Sequence, residues 1–488
     1  MRAGRPQLSN FPMPGPLSPG PLSGPLHGLT ASLGVCLSLL LVGGTAASAQ
    51  TGGDASVRTP VARMAEAPAG TDARHEPMGF AGASGGRSRP GDPAPGTVIR
   101  AANVGRYDAF LGPSMRWAIE RGMNMEVVAP RPIPLEPARL RATEKYAPQA
   151  RLSADKLQVE NYVAGLPFPL VDENDPDAAV KLMFNFENRI LVDDLDARNF
   201  DCDTGSIGTE GPMRVERRFI LGHFRRLYHV GRLYHEPIHT WPTPDGVRYR
   251  EALYPILEPF DLKGVGITYN RYLAPSRQDD SWLYYPLLKR VRRLSTAARS
   301  EALFGQDTDI DSYGGFAGNP AWMAWRMLGR KRLLGSLHGR NFPARWAAGS
   351  ADFMFDDTWE PRDVYVIEGR SRLPGYAYSR RVIYIDRESF VIPYTELYDQ
   401  NGELWKAWVN QFKLGRKPRP DAVRVVYDYE QQFLPAVTMF DMQLGHATKC
   451  RIPSPDFPGE EGWYFNFGDA EGTTEEAFSV QYMISQGR

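Results

Sequence analysis

The chain has 488 residues, 42% hydrophobic and 11% aromatic, with 57 basic and 57 acidic side chains. That apolar content excludes disorder over most of the length, and the length admits two or three domains. The balanced charge excludes the basic excess that marks a nucleic-acid binder.

The first element is an apolar run from Leu29 to Val42, LTASLGVCLSLLLV. About 20 apolar residues are needed to cross a bilayer, so the run is too short to span one. GGTAASAQ follows it, and Ala47-Ser48-Ala49 is a small-x-small cleavage site. The pattern predicts a secretory signal over residues 1–49, cut after Ala49, and hence export to the periplasm. The leader ahead of it is long, Pro/Gly-rich and basic only at Arg2 and Arg5, and Met13 is a second candidate start. Cys36 does not read as a lipoprotein cysteine, because Val35 stands where a small residue is needed. Cleavage removes two arginines and no acid, leaving the mature chain about two charges negative. It also leaves Cys202 and Cys450, which an oxidising compartment would allow to form one bridge; two unpaired buried thiols is the alternative.

Residues 50–97 are rich in Gly, Ala, Pro and Ser and predict a disordered linker. A single domain is expected over 98–488. It begins with short surface helices, as in PARLRATEKYAPQARLSADKL, and AAVKLMFNFENRI from Ala178 predicts another helix. Strands then dominate: VERRFILGHFRRLYHVGRLYHEP, REALYPILEPFDL, GVGITYNRYLAP and SWLYYP are aromatic and β-branched and end at Pro, Gly or Asp. YGGFAGNPAWMAWRMLGRKRLLG reads as partly helical. Four strands follow in DVYVIEGRSR, YSRRVIYID, SFVIPYTELYD and ELWKAWVNQF, joined by LPGY, DRES and DQNG. Turns that short force antiparallel neighbours. AVRVVYDYE and FLPAVTMFDM extend the sheet. In ELWKAWVNQF, alternation puts Trp405, Ala407 and Val409 on one face and Leu404, Trp408 and Phe412 on the other. With large apolar groups on both faces, the sheet is covered on both sides or open to a hydrophobic ligand on one.

Several motifs suggest chemistry. His235-Glu236-Pro237-Ile238-His239 has the spacing of a zinc-protease helix. Pro237 forbids that helix, and on a strand residues four apart stand roughly 13 Å from each other, too far for one metal. The histidines therefore read as strand-end residues, with a metal-dependent hydrolase as the remaining enzymatic alternative. Asp307, Asp309 and Asp311 occupy the first three positions of a calcium loop, but Ser312 and Gly318 stand where Gly and Glu are required. An acidic solvated loop is the plainer reading. Lys289, Arg290, Arg292 and Arg293 read as the charged end of a hairpin, or as a patch for anionic headgroups. The sequence has no phosphate loop, nucleophile elbow, Rossmann fingerprint or Cys-x-x-Cys pair, so no catalytic residue, metal or cofactor is expected.

Six strings occur in order: RATEKYAPQARL, YVAGLPFP, DSWLYYPLLKRVRRLS, WRMLGRKRLLG, YSRRVIYIDRESF and YDQNGELWKAW. Together, from about residue 98 to the C-terminus, they resemble an exported Gram-negative family of unknown function labelled outer-membrane lipoprotein-sorting-like. HEPI at 235–238 looks like a feature of the same family. The resemblance implies a β-rich α+β fold similar to the lipoprotein-localisation factors: a curved antiparallel sheet, a half-open barrel, with helices in its mouth and on its N-terminal side. It implies a hydrophobic ligand or lipid on the apolar face. As partners it implies a transporter of the resistance–nodulation–division type or an outer-membrane protein. The leading expectation is a non-enzymatic periplasmic carrier or chaperone. A ligand-free scaffold or accessory subunit of an envelope transporter is the alternative. The aromatic residues expected to line the pocket are Trp282, Tyr284, Trp325, Trp405 and Trp408.

Overall fold

The structure is a computed structural model and describes residues 86–189, 192–294, 299–415, 431–468 and 472–487. The expected signal, most of the expected linker and the AVRVVYDYE strand lie outside the described residues. The end of the linker segment is placed against the sheet. There Asp92 pairs with Arg332 at 2.5 Å and Arg89 with Asp363 at 2.5 Å.

Two short strands open the fold, β1 (Val98–Ile99) and β2 (Met125–Val127), on either side of α1 (Pro113–Glu120). Helix α2 (Pro137–Tyr146) precedes a small hairpin, β3 (Arg151–Leu152) with β4 (Val159–Glu160), and then α3 (Ala178–Asn188). Both α1 and α2 start on proline, which is pre-set for the first helical turn. The long strands β5 (Asp194–Ser206) and β6 (Arg214–Tyr228) follow, then the small pair β7 (Val230–Arg232) and β8 (His239–Thr240). Next come β9 (Val247–Glu258), β10 (Gly266–Tyr272), β11 (Asp280–Tyr285) and β12 (Arg290–Arg293). The second half holds β13 (Met323–Gly335), β14 (Thr358–Ser371), β15 (Arg380–Asp386), β16 (Tyr394–Tyr398) and β17 (Leu404–Gly415). It ends with β18 (Gln431–Asp441), β19 (His446–Arg451), β20 (Trp463–Phe465) and α4 (Val480–Gln486).

Sixteen of these strands form one curved antiparallel sheet that does not close into a barrel. Its order is β1-β2-β14-β15-β16-β17-β18-β19-β5-β6-β9-β10-β11-β12, with β13 added to β14 and β20 to β5. Only β2 with β14 pairs in parallel among the described residues. The expected meander is present as β14 to β17, each strand paired with the next. The segment read as partly helical has short 3-10 turns at Ile310–Gly315 and Pro320–Trp322, and is corrected from Met323 onward, where it is strand β13. Its Leu, Arg and Lys residues are good helix formers, but propensity yields to tertiary context, and twelve residue pairings with β14 override it.

Alternation assigns each strand two jobs. On β15, Val382 and Tyr384 pack into the cluster built on Met115, Ala118 and Ile119 of α1. Ile383 and Ile385 face the other way, against Leu182 and Met183 of α3. Each such side chain contributes about 1.5–3 kcal/mol relative to exposure. Helix α1 is tied down by Ser114, whose backbone N–H and hydroxyl donate to Glu396 Oε1 at 2.9 and 2.7 Å. Gly112 is needed just before it, since a Cβ there would stand 2.7 Å from the same carboxylate.

The two histidines of the zinc-like motif serve separate partners. Pro237 leaves the segment between β7 and β8 non-helical. His239 Nε2 meets the Tyr146 hydroxyl at 2.9 Å, while His235 Nδ1 lies 3.5 Å from Asp194. The backbone N–H groups of Leu233, Tyr234 and His235 all donate to the Asp193 carboxylate at 2.7–2.8 Å. The acidic triplet is buried rather than solvated. Asp307 accepts from His446, Asp309 from Tyr378, and Asp311 from Arg299.

One buried histidine sets a pH dependence. His229 is fully buried, with its ring 5.2 Å from that of Trp241. Burial, and then the charges of Arg250 and Arg232, push its imidazole down to about 4 from 6.5. Between those values the unfolded chain binds a proton that the native chain refuses, so native stability rises with pH there. Unfolding free energy should therefore fall as pH drops from 6.5 to about 4. His229→Phe should flatten that part of the profile. Urea titrations of both proteins across the window measure the difference, and parallel profiles would contradict the assignment.

Candidate functional site

The sheet face opposite α1 is filled only in part. Helix α3 covers β14 and β15, but over β5, β6, β9 and β10 a space remains. This cavity has a volume of about 350 Å³ and is bounded also by α3, the 303–320 segment and β17 to β20. Pockets that take small molecules run from about 300 to 1,000 Å³.

Its wall is built mainly from strand residues that alternation turns inward. Leu195, Phe200 and Cys202 come from β5, Leu253 and Ile256 from β9, and Ile267 from β10. Strand β6 supplies three consecutive residues, Phe219, Ile220 and Leu221. Its register with β9 shifts between Ile220 and Leu221, which lets neighbours in sequence reach the same wall. Across the space stand Trp408, Phe412 and Val437.

The seam of the sheet runs through this wall. β19 pairs with β5, and Cys450 stands directly opposite Cys202. Their Cα atoms are 4.1 Å apart and the sulfurs are bonded across a sequence separation of 248 residues. Of the two alternatives left open by the sequence, the structure contains the bridge.

Polar groups at the wall are few, and most are neutralised. Arg226 Nε donates to Glu251 Oε2 at 2.6 Å, and Arg271 Nε to Asp279 Oδ1 at 2.6 Å. Arg189 differs: among the described residues its guanidinium donates to the Ser389 carbonyl and the Gln432 side-chain oxygen, both neutral. Among the described residues the lining contains no serine, threonine, histidine, lysine or aspartate. The cavity can therefore bury an apolar chain and contact a polar end, but it presents no nucleophile beside a base.

Comparison with known proteins places the chain. A family model described as a protein of unknown function, DUF1329, matches residues 98–473. The chain belongs to the DUF1329 family. Among solved structures, a candidate outer-membrane lipoprotein-sorting protein domain from Vibrio parahaemolyticus is 15% identical, at a TM-score of 0.43. That match covers 63% of this chain and 98% of that one. A DUF1329 family protein from Desulfovibrio piger is 13% identical with a TM-score of 0.40, covering 62% and 96%. A LolA superfamily protein from Nitrosomonas europaea is 14% identical with a TM-score of 0.34, covering 61% and 94%. No curated protein matches the chain.

Of the five aromatics expected to line the pocket of this DUF1329 protein, Trp408 does so. The other four are placed elsewhere, each for a local reason. On β11, Trp282 and Tyr284 face α4 and its cluster, while Leu283 and Tyr285 take the opposite face. Trp325 stands behind the wall: it packs edge-on against Phe316, 5.3 Å away, and donates to the Pro320 carbonyl at 2.7 Å. Trp405 lies where the β16–β17 register shifts, and so leaves the alternation that holds Ala407 and Val409 in the α1-facing core. It packs on Tyr378 and donates to Asp441 at 2.7 Å. The residues missed were the ordinary aliphatics and phenylalanines of β5, β6 and β9. Their sequence signal, consecutive apolar residues in FIL at 219–221, reads as plain core. The basic hairpin is present as β11 and β12, with Arg290, Arg292 and Arg293 exposed.

Proposed function

We propose that this DUF1329 chain is a non-enzymatic carrier of a lipid or other hydrophobic molecule in the periplasm. The observation that carries the reading is the cavity of about 350 Å³ set within an apolar sheet face. A protein whose only task was to dock against a partner would gain stability by filling that space. Affinity comes from apolar area removed from water, about 25 cal/mol per Å² before ordering terms are subtracted. Release needs a second conformation or a partner that binds the cargo better. A resistance–nodulation–division transporter or an outer-membrane protein would fill that partner's role. Among the described residues no helix is long and apolar enough to cross a membrane. The cavity lining, without a nucleophile and base, supports carriage over hydrolysis.

Native mass spectrometry of the chain purified from its own periplasm tests the proposal. The expected result is a bound hydrophobe released by organic solvent, with a fluorescent fatty acid taken up by the emptied protein. An empty protein that takes up no such probe would overturn the carrier reading.

A further inference from the structure

The cavity has a polar corner in which the arginines are bonded to no carboxylate among the described residues. Arg189 lines it beside Gln431 and Gln432. Arg139, on the buried face of α2, is 0% exposed, and none of its three guanidinium nitrogens has a hydrogen-bond partner. Its charge reaches Arg189, where burial first and Arg139 next disfavour the charged form. A guanidinium does not discharge in a protein, so the unfavourable charge stays in place.

Among the described residues no carboxylate is hydrogen-bonded to either guanidinium. Glu187 lies 3.5 Å from Arg248 Nε. Asp386 is held by Arg362 at 2.8 and 3.1 Å. Glu136 caps α2, accepting from the backbone N–H of Arg139 at 3.0 Å. The corner also holds two unused polar atoms, the buried Gln431 Oε1 and Gln432 Nε2. Elsewhere on the wall the arginines have their carboxylates, as Arg226 and Arg271 show.

A buried guanidinium without a hydrogen-bond partner, and a half-buried one bonded to no carboxylate among the described residues, stand beside an apolar space and form half of an ion pair. A buried charge left unpaired is strongly destabilising. Resting on the carrier reading above, we propose that the cargo is an amphiphile with an anionic head, a carboxylate or a phosphate. The head lodges at Arg189, with Arg139 behind it and Gln432 donating beside it. The apolar chain runs along Phe200, Leu221 and Val437. The guanidinium fork suits either head, since both offer paired oxygens.

Competition against a fluorescent fatty acid on the emptied full chain tests this. The probes are dodecanoate, dodecyl phosphate and dodecanol, with acetate and inorganic phosphate as heads alone. Both anionic amphiphiles are expected to bind about tenfold or more tightly than the alcohol, the scale of a hydrogen bond to a charged group. The short anions are expected to compete weakly. Arg189→Gln and Arg139→Met should each erase most of the preference, and Arg189→Lys should retain part of it. In the emptied protein Arg139→Met should leave the unfolding temperature equal or higher, since it removes an unpaired charge.

Equal binding of acid and alcohol would overturn the head-group inference and leave the carrier reading standing. Failure of all three amphiphiles would remove both. Short anions binding as well as the amphiphiles would mean a small-anion site and overturn the proposal. So would an Arg139→Met protein that is much less stable yet keeps the preference. The wild-type comparison decides the matter even where a variant does not fold.

Discussion

Replacing Val437 and Leu253 together with tryptophan is expected to cut fatty-acid uptake about tenfold or more while leaving the unfolding temperature unchanged or higher. Both residues line the cavity, and both are only partly buried in a region where their neighbours are fully buried. The added rings would occupy space that holds no protein atoms, replacing an empty volume with dispersion contacts. Filling a void adds stability where the new side chain fits without strain, and overpacking lowers it by about 1–3 kcal/mol. The two readouts are therefore expected to separate. Fluorescence titration and a thermal melt of the same sample measure them. If uptake survives with a folded protein, the cargo does not sit in this space. If both fall together, the space is too small for the rings and single substitutions are the next measure.

The second large effect concerns the bridge. Changing Cys202 and Cys450 together to alanine is expected to lower stability by about 3–5 kcal/mol, the range for cross-links that close long loops. The pair stands at the seam between β5 and β19, strands that are adjacent in the sheet but separated by 248 residues in the chain. Among the described residues β20 gives β5 a second late strand partner, through Trp463, Tyr464 and Phe465. Without the bridge the seam must be closed by hydrogen bonds, apolar contacts and the Arg451–Asp201 ion pair at 3.1 Å. Urea midpoints of the variant and the oxidised wild type give the difference directly. Equal midpoints would show that the seam closes unaided.

Much of the local structure was legible in the chain. LPGY, DRES and DQNG are short turns between β-branched runs, and each joins neighbours of the meander β14 to β17. Pro237 ruled out the zinc helix, because a missing amide and a ring clash act within a few residues. Alternation separated Ala407 and Val409 from Trp408 and Phe412 correctly. It failed at Trp405, where a register shift adds one residue and turns the side chain over. It failed at Trp282 and Tyr284 for a different reason. The period of two shows which residues share a face but not which face meets the cavity.

The candidate site was far less visible. Aromatic residues drew attention by size, but the wall is mostly Leu, Ile, Val and Phe, which in sequence are indistinguishable from core. Arg139 and Arg189 carried no signal at all, since an arginine in a polar helix or loop is ordinarily solvated.

The sequence by itself determined the strands and turns of the late meander, the absence of a helix at HEPIH, and the two-faced character of the late sheet. These depend on dihedral preference, hydrogen-bond donors and period, all of which act over a few residues. Only the tertiary structure decided that β5 meets β19, that two distant cysteines bond there, and that space remains on one side of the strands. It also decided that Arg139 is buried and Arg189 half-buried with no carboxylate bonded to either among the described residues. Those outcomes depend on contacts between residues hundreds of positions apart. No local preference encodes them, because what fills or fails to fill a volume is fixed only when every surrounding element is in place.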